Sequence, residues 1–175
     1  MKAGITKGPA IISYLIKNLH KSDPQKQIGK TVVQKLIFLT TRNHVGDYEY
    51  ALYHYGPYSG GVSSDLQYTT QLGALEINWN PDKGYFITPK STESLEKELS
   101  PEEKTQINEI IEKYGKFNAI ELSLIATAMF IIDKGNFHGP KENLVKIVKL
   151  LKPQHSEAYI LHILNDCKEI PDIIP

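Results

Sequence analysis

Three kinds of residue in this 175-residue chain could carry chemistry: a Gly-Lys-Thr triplet, six histidines and one cysteine. Gly29-Lys30-Thr31 would end a phosphate-cradling loop only if a glycine stood at position 24 after a buried strand. That position is Pro24, and residues 17–28 are polar and charged, so the triplet reads as a helix N-terminus with a solvated lysine. His20, His44, His54, His138, His155 and His162 include no i, i+4 pair around a glutamate, the spacing zinc hydrolases use. His155 and His162 could share a helix face, but no carboxylate pair accompanies them. A reactive thiolate wants an electropositive setting, whereas Cys167 lies among Asp166 and Glu169 and reads as a buried structural thiol. Ser59 and Ser63 have no evident base and suit a helix start. The residues therefore predict no catalytic group, no metal site, no cofactor and no enzyme activity.

The most unusual constellation is aromatic. Five of ten tyrosines, Tyr48, Tyr50, Tyr53, Tyr55 and Tyr58, fall within eleven residues, with His54 among them. Tyrosine joins a large apolar area to a polar tip and is enriched at protein interfaces. Two readings stand side by side. Alternate tyrosines pack beneath a hairpin and satisfy a glycine loop with their hydroxyls, or the cluster is a surface that binds another protein.

The elements that must position these residues follow from apolar periodicity and turn chemistry. Ile11, Ile12, Leu15, Ile16 and Leu19 recur at helical spacing after Gly8-Pro9 and before Ser22-Asp23-Pro24. A second helix runs from Thr31 to Arg42. Tyr48 to Tyr55 reads as a short strand or extended segment. Tyr55 to Gly61, with Pro57 and three glycines, is expected to be irregular. A third helix, Gly60–Leu72, starts at the Ser59 N-cap and stops at Gly73. Ala74–Trp79 and Tyr85–Thr88 flank the turn residues Asn80–Gly84 and predict a β-hairpin. A short helix at Thr92–Leu99 precedes Ser100-Pro101-Glu102-Glu103, a capping box with proline at the first helical position. That helix ends at Gly115. A second capping box, Asn118–Glu121, opens a helix apolar on almost every side up to Gly135, which predicts a buried central element. Helices at Lys141–Leu151 and Ser156–Lys168 follow, and Pro171 is expected to close the ordered chain.

Helix, helix, short strand, helix and hairpin is the element order of a winged helix. The expected fold is mainly α with a small β-hairpin. A winged-helix-like part (residues 1–90) packs on a C-terminal helical part (91–175) in one compact domain. The longest apolar stretch, Leu122–Ile132, is about half what a bilayer crossing needs and contains Ser123 and Thr127. Gly4, Lys7 and Pro9 break any leader-like pattern near Met1. With one cysteine and no membrane segment, a cytoplasmic location is expected.

Charge is balanced over the whole chain but not along it. Residues 1–44 carry +7, residues 45–90 carry −3 and residues 91–175 carry −4. Such asymmetry allows either a polyanion-binding face or solvated helix faces of different sign. Duplex recognition needs Lys and Arg on phosphates and Arg, Lys, Asn or Gln at base edges. Gly60–Leu72, the segment in the place of a recognition helix, has no Lys or Arg and carries Asp65. The wing has Lys83 beside Asp82. A nucleic-acid-binding transcriptional regulator using the basic N-terminal helices is therefore the alternative to protein binding.

Lys35-Leu36-Ile37-Phe38-Leu39, Tyr53-His54-Tyr55-Gly56-Pro57-Tyr58-Ser59, Asp65-Leu66 and Leu72-Gly73, with Asn118–Leu122 and Ala126-Thr127, resemble the YwgA-like and SocA-like proteins, grouped as the Panacea or DUF4065 domain. The resemblance spans about residues 30–133 and is most specific in the Tyr-Gly-Pro-Tyr-Ser loop. It implies an antitoxin-like or adaptor-like module without catalysis. The implied partner is another protein, a toxin or a component of a proteolytic pathway. Tyr53, Tyr55, Gly56, Pro57, Tyr58, Ser59 and Asp65 are the residues expected to form the partner-binding centre.

Overall fold

The isoleucine and leucine stripe after Pro9 becomes α1 (Lys7–Ser22), whose apolar face is fully buried. The computed structural model describes residues 7–135 and 137–175; Lys2 and Gly4, which enter the charge and leader readings, lie outside them. The next helix, α2 (Lys30–Arg42), follows Gly29, which supplies no side-chain cap. Two short strands, β1 (Ala51–Tyr53) and β2 (Gly56–Tyr58), lead into α3 (Gly60–Gln71). Ser59 caps α3 by accepting from the Val62 N–H at 3.3 Å. The strands β3 (Leu75–Asn80) and β4 (Gly84–Pro89) form the expected hairpin, in register from Leu75 opposite Pro89 to Asn80 opposite Gly84.

The C-terminal half comprises a short α4 (Glu93–Glu96), α5 (Pro101–Tyr114), α6 (Ala119–Gly135), α7 (Lys141–Leu151) and α8 (Glu157–Asp166). Both capping boxes form. Ser100 accepts from Glu103 N–H while Glu103 accepts from Ser100 N–H, and Asn118 and Glu121 do the same at 2.9–3.0 Å. Leu122 to Met129 of α6 is buried on all sides, as its all-round apolarity requires. The molecule is mainly helical, with three two-stranded antiparallel sheets among the described residues.

Two sequence expectations change. Tyr55–Gly61 is not wholly irregular: β2 pairs antiparallel with β1, Tyr53 opposite Gly56 and Leu52 opposite Pro57. A two-stranded ribbon consists of edges alone, so a proline removes no inner ladder bond. Gly56 takes φ +97°, the left-handed conformation that lets His54-Tyr55 form so tight a turn. The ordered chain also continues past Pro171. Strand β6 (Ile173–Ile174) pairs with β5 (Gly139–Pro140), and Ile174 joins the core. Two-residue strands carry no periodicity, so only the partner strand reveals them.

α1, α2 and α6 meet in one hydrophobic core, to which Leu36 and Ile37 of α2, Leu124 and Ile125 of α6, and Leu144 and Ile160 of α7 and α8 contribute. α2 packs on both α5 and α6, and β2 packs on α2 and α6. The β3–β4 hairpin is tied to the approach to α2, where Ile87 N–H donates to the Ile28 carbonyl at 2.8 Å. No single helix among the described residues is long and apolar enough to cross a membrane.

Candidate functional site

The tyrosine cluster divides by burial. Tyr48 and Tyr50 turn inward: Tyr48 donates its hydroxyl hydrogen bond to Asp65 at 2.7 Å, and Tyr50 meets Phe38 edge-on at 5.1 Å. Their hydroxyls do not serve the glycine loop as one sequence reading expected. Burial raises the pKa of both phenols. Tyr53 and Tyr55 turn outward, 62% and 65% exposed, and Tyr58 is more than a third exposed, its ring 5.2 Å from that of Tyr53. His54 stands edge-on to Tyr55.

Beneath these rings the backbone of the β1–β2 ribbon is gripped by side chains from three elements. Lys152, just after α7, donates to the His54 carbonyl. Ser123 of α6 donates to the Tyr55 carbonyl at 2.6 Å. Lys35 of α2 donates to the Pro57 carbonyl at 2.8 Å. Gln34 binds Ser59 twice, its amide donating to the carbonyl at 2.9 Å and its oxygen accepting from the N–H at 3.0 Å. Gly56 is close to α6: a Cβ there would lie 2.7 Å from Thr127 Oγ1, a buried hydroxyl with no hydrogen-bond partner among the described residues.

The structure thus places six of the seven predicted partner-binding residues in two layers. Tyr53, Tyr55 and Tyr58 form the outer face, while Gly56, Pro57 and Ser59 are buried below it and hold its shape. Asp65 lies apart, half-buried on α3, where it accepts from Tyr48 and occupies the space that a side chain at Gly8 of α1 would need. An anion against the first turn of a helix is favoured by the macrodipole.

Lys35 and Lys152 are only 2% and 3% exposed, and among the described residues neither has an acidic partner. Burial and the neighbouring Lys152 lower the Lys35 pKa to about 8, and burial lowers that of Lys152. The sequence reading gave neither of them, nor Gln34 or Ser123, a part in the partner-binding centre. Lys35 had a legible signal. It stands three residues after Val32 and four before Leu39, inside an apolar helix face where a lysine has no solvent to reach. Nothing around Lys152 distinguishes it.

Part of the N-terminal excess of charge is neutralised within the fold. Lys7 pairs with Glu103 and Lys17 with Glu96, each at 2.6 Å, and Arg42 grips Asp133 through two hydrogen bonds. These three basic residues of the first half are each matched to an acid of the second half. The outward side of α3, with Ser64, Gln67 and Gln71, presents no cation.

Lys26, Lys30 and Lys35 lie with Lys83 and Lys152 around the start of α2. Thr31 borders three clefts, of about 540, 500 and 320 Å³. The largest lies between α2 and the tyrosine ribbon, the second reaches the β3–β4 turn, and the third runs past Ile120 to Lys152 and His155. No group of three His, Cys, Asp or Glu side chains able to hold a metal comes together among the described residues. Cys167 is buried, and burial raises its pKa. The sequence matches no family model and no curated protein.

Proposed function

We propose that the protein is a non-catalytic module of the cytoplasm that binds another protein through the Tyr53–Tyr58 ribbon. The observation that carries this reading is the combination of three exposed tyrosines on a backbone fixed by Gln34, Lys35, Ser123 and Lys152. A rigid aromatic surface loses little conformational freedom on binding, and tyrosines at the centre of interfaces carry much of the affinity. The resemblance to the Panacea group favours an antitoxin-like or adaptor-like role, with a toxin or a proteolytic component as the partner. Protein is preferred to nucleic acid because Lys7, Lys17 and Arg42 are paired with Glu103, Glu96 and Asp133, and α3, in the place of a recognition helix, offers no cation.

The test is to capture the partner from its own cell on tagged protein, identify it, and titrate the purified pair. Tyr53→Ala and Tyr58→Ala should each weaken binding by about 2 kcal/mol or more, roughly 30-fold, without unfolding the chain. A partner that binds both variants as tightly as the parent would show that the ribbon is structural. A protein–DNA complex recovered instead would move the assignment to the nucleic-acid regulator.

A further inference from the structure

The three clefts that meet at Thr31 have one electrostatic character. Lys26, Lys30, Lys35, Lys83 and Lys152 line them, and no Asp or Glu does. This is unexpected in a chain whose acids and bases balance at twenty each. Two of these lysines form the floor, buried and bound only to carbonyls of the tyrosine ribbon. Lys30 and Lys83 stand at the exposed rim, Lys30 over the Tyr85 ring at 3.9 Å. The Gly29 cap leaves the first N–H groups of α2 without a side-chain acceptor. A buried cation without an anion is costly, and an arriving carboxylate would supply the missing counter-charge.

We infer that this cleft takes an acidic, extended segment of the partner protein, its carboxylates directed at the lysines and its apolar side chains at Tyr55 and Ile120. The inference rests on the protein-binding reading and names the chemistry of the segment bound. The apolar contribution comes from Ile120, 52% exposed between the second and third clefts, and from Tyr55, which borders the first and third. A polynucleotide would need cations exposed in series along a backbone track. Here the exposed ones at the rim are Lys30 and Lys83, while the others are partly or wholly covered and bonded to carbonyls, Lys26 to that of Phe117. The acidic segment fits this mixture of buried charge and apolar rim better.

The probe is octaglutamate carrying a fluorescein label, titrated by anisotropy at low salt. An oligothymidylate of eight nucleotides with the same label serves as the competing polyanion. Saturable octaglutamate binding is expected, tighter than that of the oligonucleotide. It should weaken at least tenfold in the Lys30→Ala/Lys83→Ala variant, whose substitutions are at the surface and leave the thermal midpoint unchanged. Lys35→Met, where the chain stays folded, should weaken it further. Absence of saturable binding, or equal binding by the double variant, overturns the inference. Tighter binding of the oligonucleotide overturns it too, and assigns the cleft to single-stranded nucleic acid. If octaglutamate fails while the partner still depends on Tyr53 and Tyr58, only this inference falls. If octaglutamate binds and the tyrosine variants lose nothing, the ribbon assignment falls instead.

Discussion

Lys35 carries both a cost and a function. Its ammonium fixes the Pro57 carbonyl, but burial holds its pKa near 8 against an ordinary 10.5. Between those values the unfolded chain binds more protons than the folded one, so stability should rise as pH increases from about 8 to 10. Lys26 and Lys152, also lowered by burial, act in the same direction. Above pH 10 the trend should reverse, because Tyr48, Tyr50 and Tyr114 are held protonated by burial in the fold and ionise first in the unfolded chain. Urea titrations across pH 7–11 read both limbs. The Lys35 contribution is on the order of 3 kcal/mol, so Lys35→Met should flatten the rise. At pH 7 the variant should be more stable by about 1 kcal/mol or more, since the lost hydrogen bond to Pro57 offsets only part of the relieved desolvation. At Gly56 two penalties coincide, positive φ and the approach of Thr127, and Gly56→Ala should cost about 2 kcal/mol or more in the same assay.

At the scale of elements, the β1–β2 ribbon is the part whose order matters most for the proposed surface. Isolated two-stranded hairpins are marginal in water, so this one depends on what lies beneath it. Gln34 is the main fastener, because one amide serves both backbone groups of Ser59 at the start of α3. Gln34→Ala should leave the buried Ser59 N–H unpaired, while the Ser59 carbonyl keeps the Ser63 N–H, and cost about 1–3 kcal/mol. Hydrogen exchange should then show residues 51–59 opening well before α1 or α6 does. Equal protection of the ribbon in parent and variant would show that Lys35 and Ser123 suffice to hold it. The glycine and proline of this stretch are explained by close packing on α6 and by an edge strand.

For the whole molecule, residues 1–90 and 91–175 complete each other. Leu36 and Ile37 share one core with Leu124 and Ile125, and Lys7, Lys17 and Arg42 meet acids from the second half. The ion pairs are partly exposed and contribute little stability individually, but they neutralise three cations of the first half with acids of the second. A fragment of residues 1–90 would expose the α2 face that α6 covers, and it should remain unfolded. The intact chain should lose circular dichroism and hydrogen-exchange protection in a single urea transition. A fragment that folds alone, or two separated transitions, would show two independent units.

Local signals determined most of the elements. Ser100 with Glu103, and Asn118 with Glu121, mark helix starts because capping is complete within four residues. Asn80–Gly84 marks the β3–β4 turn for the same reason, and the all-round apolarity of Leu122–Met129 told that α6 is central. Tertiary structure alone decided which tyrosines face outward, that Ile173–Ile174 finds Gly139–Pro140, and that lysines from α2, the β3–β4 turn and the end of α7 gather without an acid among them. Hydrogen-bonding at those places depends on partners as far as 98 residues away, as Lys152 and His54 are. A window along the sequence holds only one side of each such pair, so it could register Lys35 as a charge without revealing that no anion awaits it.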